Sequence, residues 1–385
     1  MLNHLSQTQI ETIAVWYVVQ HSLSSYYKIK AHFKNLEDSL KPESLIAWKN
    51  LNLHKNHIQR LEKFHTQEGQ TEFQHLLQHI KQSSDFVITE ADSCYPTQLL
   101  PYSDRPPIIF GQGNEQILLQ PQIAIVGSRK SSPHGRQVAY DFAYYLSEKG
   151  FYINSGLAQG IDEAAHQGGI KNHRTIAVMG TGLDITYPSQ NQALRQEIIN
   201  HHGAVITEFL PTTKPLQQHF PRRNRIVSGL SLGIIVAEAS LESGSLITAK
   251  LAADQGKLIF AIPGHIYSEH HQGCHQLIRE GAILIDHPEQ AIEDLALPTQ
   301  WHSQQNSEQN NSTELSEKDS NQSLDIPNYL IPLYKQLDWV GQNIDQLATT
   351  LQLDIATLTG HLMELELSGL CMQQSGLYVR CRSNK

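Results

Sequence analysis

Between Ile123 and Leu295 the chain alternates short apolar runs with longer amphipathic stretches. The runs are IAIV at 123, YIN at 152, TIAVM at 175, AVITE at 204, GIIVAEA at 233, LIFAI at 258 and AILI at 282. Runs this short, rich in β-branched residues and mostly closed by glycine or proline, predict strands buried on both faces, and the stretches between them predict covering helices. The pattern therefore gives an α/β fold with a doubly wound parallel sheet. In the first unit, IAIVGSRKSSPHGRQVAYDFAYYL, Ser132-Pro133 suits a helix start, and Val138, Phe142, Tyr145 and Leu146 share one apolar face.

The flanks have different patterns. Residues 1–85 are helix-patterned, with Ile10, Ile13, Ala14 and Tyr17 on one face, and carry no catalytic spacing; they predict a helical domain used for interaction. Residues 86–120 mix short extended runs with prolines, which predicts an edge extension leading into the main sheet. Over 297–327 the chain is rich in Gln, Asn and Ser with almost no apolar residue, so a disordered linker is expected. From 328 to 385 helical periodicity returns. Ile344, Leu347 and Leu351 form one short helix, Asp354 caps a second that runs to Leu367, and GLCMQQSGLYVR reads as a β-hairpin, together predicting a winged-helix-like domain. Its second helix holds Asp354, Glu364 and Glu366 but no Lys or Arg, which fits an interaction module better than a reader of the DNA major groove.

Charge narrows the function. With 29 Lys and Arg against 38 Asp and Glu, the net charge of −9 gives no bulk attraction to nucleic acid, so any such site has to be a local patch. Cys94, Cys274, Cys371 and Cys381 form no C-x-x-C pair, the start MLNHLSQTQIE lacks an export signal, and no apolar run approaches a membrane span. A reduced, cytoplasmic protein with no membrane association is expected.

The polar motifs between the runs share one chemistry. GSRKSS follows the first strand and offers Ser128 and the Arg129 guanidinium, a fork suited to phosphate oxygens. SGLAQG follows the second, Arg174 precedes the third, HFPRRNR precedes the fifth with Phe220, Arg222, Arg223, Asn224 and Arg225, and Ser243, Gly244 and Ser245 open the helix after it. Arginine, glycine and serine on one rim predict a surface for several phosphates in a row, with Phe220 either a core residue or a base-stacking face. The other reading of PRRNR is a salt-bridged helix start. No G-x-G-x-x-G pattern is present, so a dinucleotide cofactor is not expected. His265, His270, His271, Cys274 and His275 match no standard zinc spacing, and Asp162 beside a helix start is a dipole partner rather than a catalytic acid; no metal or other cofactor is expected.

GSRKSSPHG, SGLAQGIDEAAH, TIAVMGTGLDITYP, FPRRNRIVSGLS, VAEASLESGSLITAKLAADQG and FAIPGHIYSEHHQGCHQLIREGA, in this order, resemble the DNA-processing protein A (DprA, or Smf) family over residues 86–296. The resemblance implies an extended Rossmann-like domain over 86–296, after a SAM-like helical domain over 1–85 and before the winged-helix-like domain. It also implies a homodimer that binds and protects single-stranded DNA and loads the RecA recombinase onto it in natural transformation, with no enzymatic activity. Strand-binding positions fall by resemblance on Ser128, Arg129, Arg174, Phe220, Arg222, Arg223, Asn224, Arg225, Ser243, Gly244 and Ser245. The alternative is a nucleotide-binding or nucleotide-hydrolysing protein similar to the lonely-guy phosphoribohydrolases. Their catalytic glutamate follows a glycine-rich turn, where this chain has Leu246, Ile247 and Thr248.

Overall fold

Each of the seven apolar runs becomes a strand of one sheet. This computed structural model describes residues 4–295, 327, 329–337, 342–368, 370–374 and 377–380. The strands are β1 (Phe86–Thr89), β2 (Ile108–Gly113), β3 (Gln122–Gly127), β4 (Tyr152–Ser155), β5 (Thr175–Val178), β6 (Ala204–Thr207), β7 (Gly233–Glu238), β8 (Leu258–Ala261) and β9 (Ile283–Leu284). Their order across the sheet is β1-β2-β6-β5-β4-β3-β7-β8-β9. From β6 to β9 all neighbours are parallel, while β2 pairs antiparallel with β6, and β1 with β2, forming the edge extension the prolines predicted. Chain order reverses between β3 and β7. In doubly wound sheets that reversal opens a crevice at the carboxyl ends of the strands, where ligands bind.

Alternation along the strands divides the core. Ile123 and Ile125 of β3 pack with α7 (Pro133–Glu148) and α8 (Ile161–Ile170), whereas Ala124 and Val126 pack with α10 (His219–Leu230), α11 (Ser245–Asp254) and α12 (Gln272–Arg279). Between β5 and β6 lies α9 (Gln192–Asn200).

The N-terminal helices α1 (Gln7–Val18), α2 (Leu23–His32), α3 (Leu36–Ser39), α4 (Leu45–Asn50), α5 (Lys55–Phe64) and α6 (Gln67–Ser83) do not stand apart as a separate bundle. Their buried Trp16, Tyr26, Ile29 and Trp48 belong to one apolar core with Val87, Phe110, Leu194, Ile198 and Val205 at the β1–β2–β6 end of the sheet. The joint is polar at its centre. Glu208, just past β6, is fully buried and accepts a bidentate fork from Arg222 (Nε 3.0 Å, Nη2 2.8 Å) and a third bond from Arg225 Nη2 at 2.6 Å. Trp16 Nε1 donates to the Glu208 backbone carbonyl at 2.8 Å, and the Arg222 guanidinium lies between the rings of Trp16 (5.4 Å) and Phe209 (5.2 Å). PRRNR is thus inside a helix, and two of its arginines are ion-paired.

The chain divides into two compact units, Met1–Asn306 and Ser307–Lys385. In the second, Asn343 caps the helix Ile344–Leu351 and Asp354 caps Ile355–Leu367, each accepting from a backbone N–H one turn on. Strands Cys371–Gln374 and Leu377–Arg380 pair antiparallel, and Leu333, Leu347, Leu358, Leu362 and Leu365 form the core. This is the winged-helix arrangement expected from periodicity. The linker expected over 297–327 lies, apart from its last residue, outside the described residues.

Removing one member of a buried ion network leaves the other charges unpaired, so Glu208→Ala should lower unfolding free energy by about 3–5 kcal/mol in denaturant titrations. Burial alone would push the Glu208 carboxyl up, but Arg225 and Arg222 hold it below its ordinary value. A carboxyl depressed in the native state adds stability above its unfolded pKa of about 4.3 and loses it as pH falls through the native value. Glu208→Gln should therefore shrink the loss of stability measured below about pH 4.

Candidate nucleic-acid interface

The cavity at the β3–β7 reversal has a volume of about 580 Å³. Its principal walls come from three places: the loop after β3, the start of α10, and the turn between β7 and α11; the segments after β4 and β8 add Gly156, Ala158, Asp162, Glu269 and His270. The first loop is pinned by its backbone, for Ser128 N–H donates to Glu238 O at 2.7 Å and Ser128 O accepts from Ile161 N–H at 3.3 Å. Arg129 and Lys130 extend from it, exposed, and both line the cavity.

The start of α7 faces this loop, yet it is not open to an outside anion. The fully buried Glu238 carboxylate already sits there: Ser132 N–H donates to Oε1 at 2.9 Å and the Ser132 hydroxyl to Oε2 at 2.5 Å, while the same hydroxyl oxygen accepts from Gly135 N–H at 2.9 Å. Gly135 is required by this packing, since a Cβ there would lie 2.0 Å from Glu238 Oε2. A negative group at a helix N-terminus is favourable, and here the chain supplies its own.

Positive charge reaches the cavity by another route. On α10, Phe220, Arg223, Asn224 and Val227 recur at three- and four-residue intervals and face the cavity, while Arg222 and Arg225 face Glu208. Arg223 is buried; its Nη1 donates to the carbonyls of Gly156, at 2.5 Å, and Val178, and its Nε to Asn224 Oδ1 at 3.1 Å. Burial lowers its pKa to about 10, with Asp162 opposing, so it stays charged at neutral pH. Asp162 accepts from the N–H groups of Gly156 at 3.1 Å and Ala158 at 3.4 Å, and its carboxyl is pushed up by burial against the pull of Arg223. It braces the loop after β4 instead of standing free for acid–base work. At the mouth, the Arg129 guanidinium lies 5.3 Å from the centre of the Phe220 ring, a cation–π contact that leaves its N–H groups available.

Ser243, Gly244 and Ser245 form the third wall, the two serine hydroxyls 2.7 Å apart. A Cβ on Gly244 would meet nothing within 4 Å, and its φ of −61° suits any residue. The fold does not demand this glycine, and the N–H groups beside it are already engaged, Ser243 with Ser240 O at 3.0 Å and Ser245 with Ser243 Oγ at 3.4 Å.

The structure thus brings Ser128, Arg129, Phe220, Arg223, Asn224, Ser243, Gly244 and Ser245 together and separates the other three expected residues from them. Arg222 and Arg225 are turned to Glu208. Arg174 lies at the amino end of β5, where its Nη1 donates to Ser147 O at 2.9 Å at the carboxyl end of α7. That is a favourable seat for a cation, one helix length, about 24 Å, from the cavity. Sequence reasoning missed Lys130, visible beside Arg129, and the role of Glu238, signalled only by a carboxylate closing an apolar strand. The histidine–cysteine cluster is used locally. Cys274 is buried, its thiol pushed up to about 12 by burial; His275 Nε2 lies 3.0 Å from Gly264 O; and His270 Nδ1 lies 3.3 Å from Glu238 Oε1. Among the described residues no group of three or more His, Cys, Asp or Glu is arranged to hold a metal ion.

The fold and site define an extended Rossmann-like protein with an arginine-bearing cavity at its switch point, followed by a winged helix. Residues 86–296 match the model of the DNA recombination-mediator protein A family, and residues 331–376 match the DprA winged helix domain. The chain belongs to the DNA recombination-mediator protein A family. It is 36% identical over 307 residues to Protein Smf of Escherichia coli, covering 79% of each chain, and 45% identical over 212 residues to DNA processing protein DprA of Streptococcus pneumoniae, covering 55% of this chain and 74% of that one. The crystal structure of Streptococcus pneumoniae DprA aligns with a TM-score of 0.64 at 33% identity, over 74% of this chain and 97% of that chain. DNA processing protein A from Helicobacter pylori, studied for its single-stranded DNA binding mode, aligns with a TM-score of 0.51 at 29% identity, over 56% and 98%.

Glu238→Ala should cost about 1–3 kcal/mol, because the Ser132 N–H and hydroxyl lose their acceptor. Inorganic phosphate should then raise the thermal midpoint of this variant by more than that of the wild type, as it enters the vacated helix end.

Proposed function

We propose that the cavity holds single-stranded DNA by its phosphates without reading base sequence, and that the protein protects such strands and passes them to the RecA recombinase during natural transformation. The observation that carries this reading is the pairing of Arg129 and Phe220 at the mouth over the buried charge of Arg223, a cation and an aromatic face on a chain of net charge −9. Guanidinium groups grip phosphate, and a ring beside them accepts a base of any identity. The single-stranded DNA binding of the Helicobacter pylori relative supports the same assignment.

Direct contacts in this proposal fall to Ser128, Arg129, Phe220, Asn224 and Ser243–Ser245, with Arg223 acting from the floor. Arg222, Arg225 and Arg174 serve through the fold. The family resemblance supports a cytoplasmic homodimer as the acting form and delivery to RecA as its outcome. A hydrolase reading is less well supported, because the positions that follow the serine–glycine turn are Leu246, Ile247 and Thr248, and the Ile247 side chain lines the cavity. Among the described residues no helix is long and apolar enough to cross a membrane.

Arg129→Ala should weaken binding to oligothymidine by about 1.5–3 kcal/mol, the range for a hydrogen bond to a charged group. Fluorescence anisotropy at two salt concentrations should also show affinity falling with salt, with a logarithmic slope near −0.7 per phosphate engaged, and a shallower slope in the variant. Equal affinities for wild type and variant would remove the site assignment.

A further inference from the structure

Two tyrosines outside the cavity are placed as if to extend it. Tyr187, in the loop between β5 and α9, is 44% exposed, and its ring lies against that of Phe220 with centroids 5.3 Å apart at 36°. Phe220 in turn bears the Arg129 guanidinium, so Tyr187, Phe220 and Arg129 make an unbroken run from solvent to the cavity mouth. On the other flank, the loop after β8 carries Ile266 and Tyr267, 71% and 84% exposed, and past Ser268 it continues into Glu269 and His270, which line the cavity. The Tyr267 backbone N–H donates to His265 Nδ1 at 3.3 Å, and the two rings are 5.6 Å apart.

Sheet order puts these residues on opposite sides of the cavity. β5 and β8 flank the β4-β3-β7 group, separated by four strand intervals, or about 19 Å at ~4.8 Å each. A single exposed aromatic side chain is ordinary on a protein surface. Two of them, each joined to the same cation-bearing cavity by ring contacts or by the loop that lines it, suit a ligand that is longer than the cavity and presents flat apolar faces at regular spacing.

We propose that Tyr187 and Tyr267 are stacking shelves for the bases that enter and leave the cavity, so that a single strand crosses the carboxyl edge of the sheet from the β5 side to the β8 side. This rests on reading the cavity as a single-strand site. About six nucleotides at the duplex rise of ~3.4 Å would cover this span, and an extended single strand covers it with fewer. The occupant has to be single-stranded, because paired bases keep their faces inside the duplex.

The test is anisotropy with labelled (dT)2, too short to reach both shelves, and (dT)12, long enough to reach both, against the full-length protein. Tyr187→Ala and Tyr267→Ala should each weaken (dT)12 about tenfold, the order expected for one lost stacked base, while leaving (dT)2 within about twofold. Tyr→Trp at either position should restore (dT)12 binding. Unchanged (dT)12 affinity, or equal loss on both lengths, overturns the proposal. So does a change in sedimenting mass for Tyr267→Ala without a change in affinity, which would make that residue a contact between copies of the chain. Arg129→Ala separates the two readings: if it weakens both oligomers while the tyrosine variants bind normally, the shelves fall and the cavity stands. Should wild type bind neither oligomer, both fall.

Discussion

The buried Glu208 carboxylate determines what the arginines of α10 can do. With no access to water it has to be compensated, and Arg222 and Arg225 approach it from one side of the helix. Once those two side chains are committed, helical periodicity turns Phe220, Arg223 and Asn224 the other way, into the cavity. The same carboxylate residue receives Trp16 through its backbone carbonyl, so the N-terminal helices and the ligand cavity are held by opposite faces of one helix. His21 belongs to this joint as well. Burial and the nearby Arg222 lower its pKa to about 3, so it stays neutral and accepts the Leu210 N–H at 3.2 Å.

The sheet was largely legible because its determinants are local. Fully buried strands need continuous apolar runs, and each of the seven runs forms a strand, although AILI contributes only Ile283 and Leu284 because it pairs on one side alone. Ser132 and Asp354 are caps that follow from residue type and position. The docking of the N-terminal helices was not legible, since it depends on Trp16 meeting a carbonyl 192 residues away. The fate of the arginines was hidden for the same reason. The three arginines of PRRNR look alike in sequence, and only the position of Glu208, fourteen residues before Arg222, separates the two that are ion-paired from the one that borders the cavity. Arg174 shows the converse, a residue whose motif suggested the rim but whose place before β5 puts it at the other end of α7.

Glu238 carries the less obvious consequence. A phosphate seated on a helix N-terminus is held by fixed amides that do not move when it leaves. In this chain that seat is filled from within, so on the proposed reading an incoming polyanion meets side chains: an exposed guanidinium at the mouth, hydroxyls on a turn, and a charge beneath the floor. A grip of that kind weakens as salt rises, because each phosphate contact exchanges with dissolved counterions. On the proposed reading, a strand held this way slides and exchanges, which suits a carrier more than a vault.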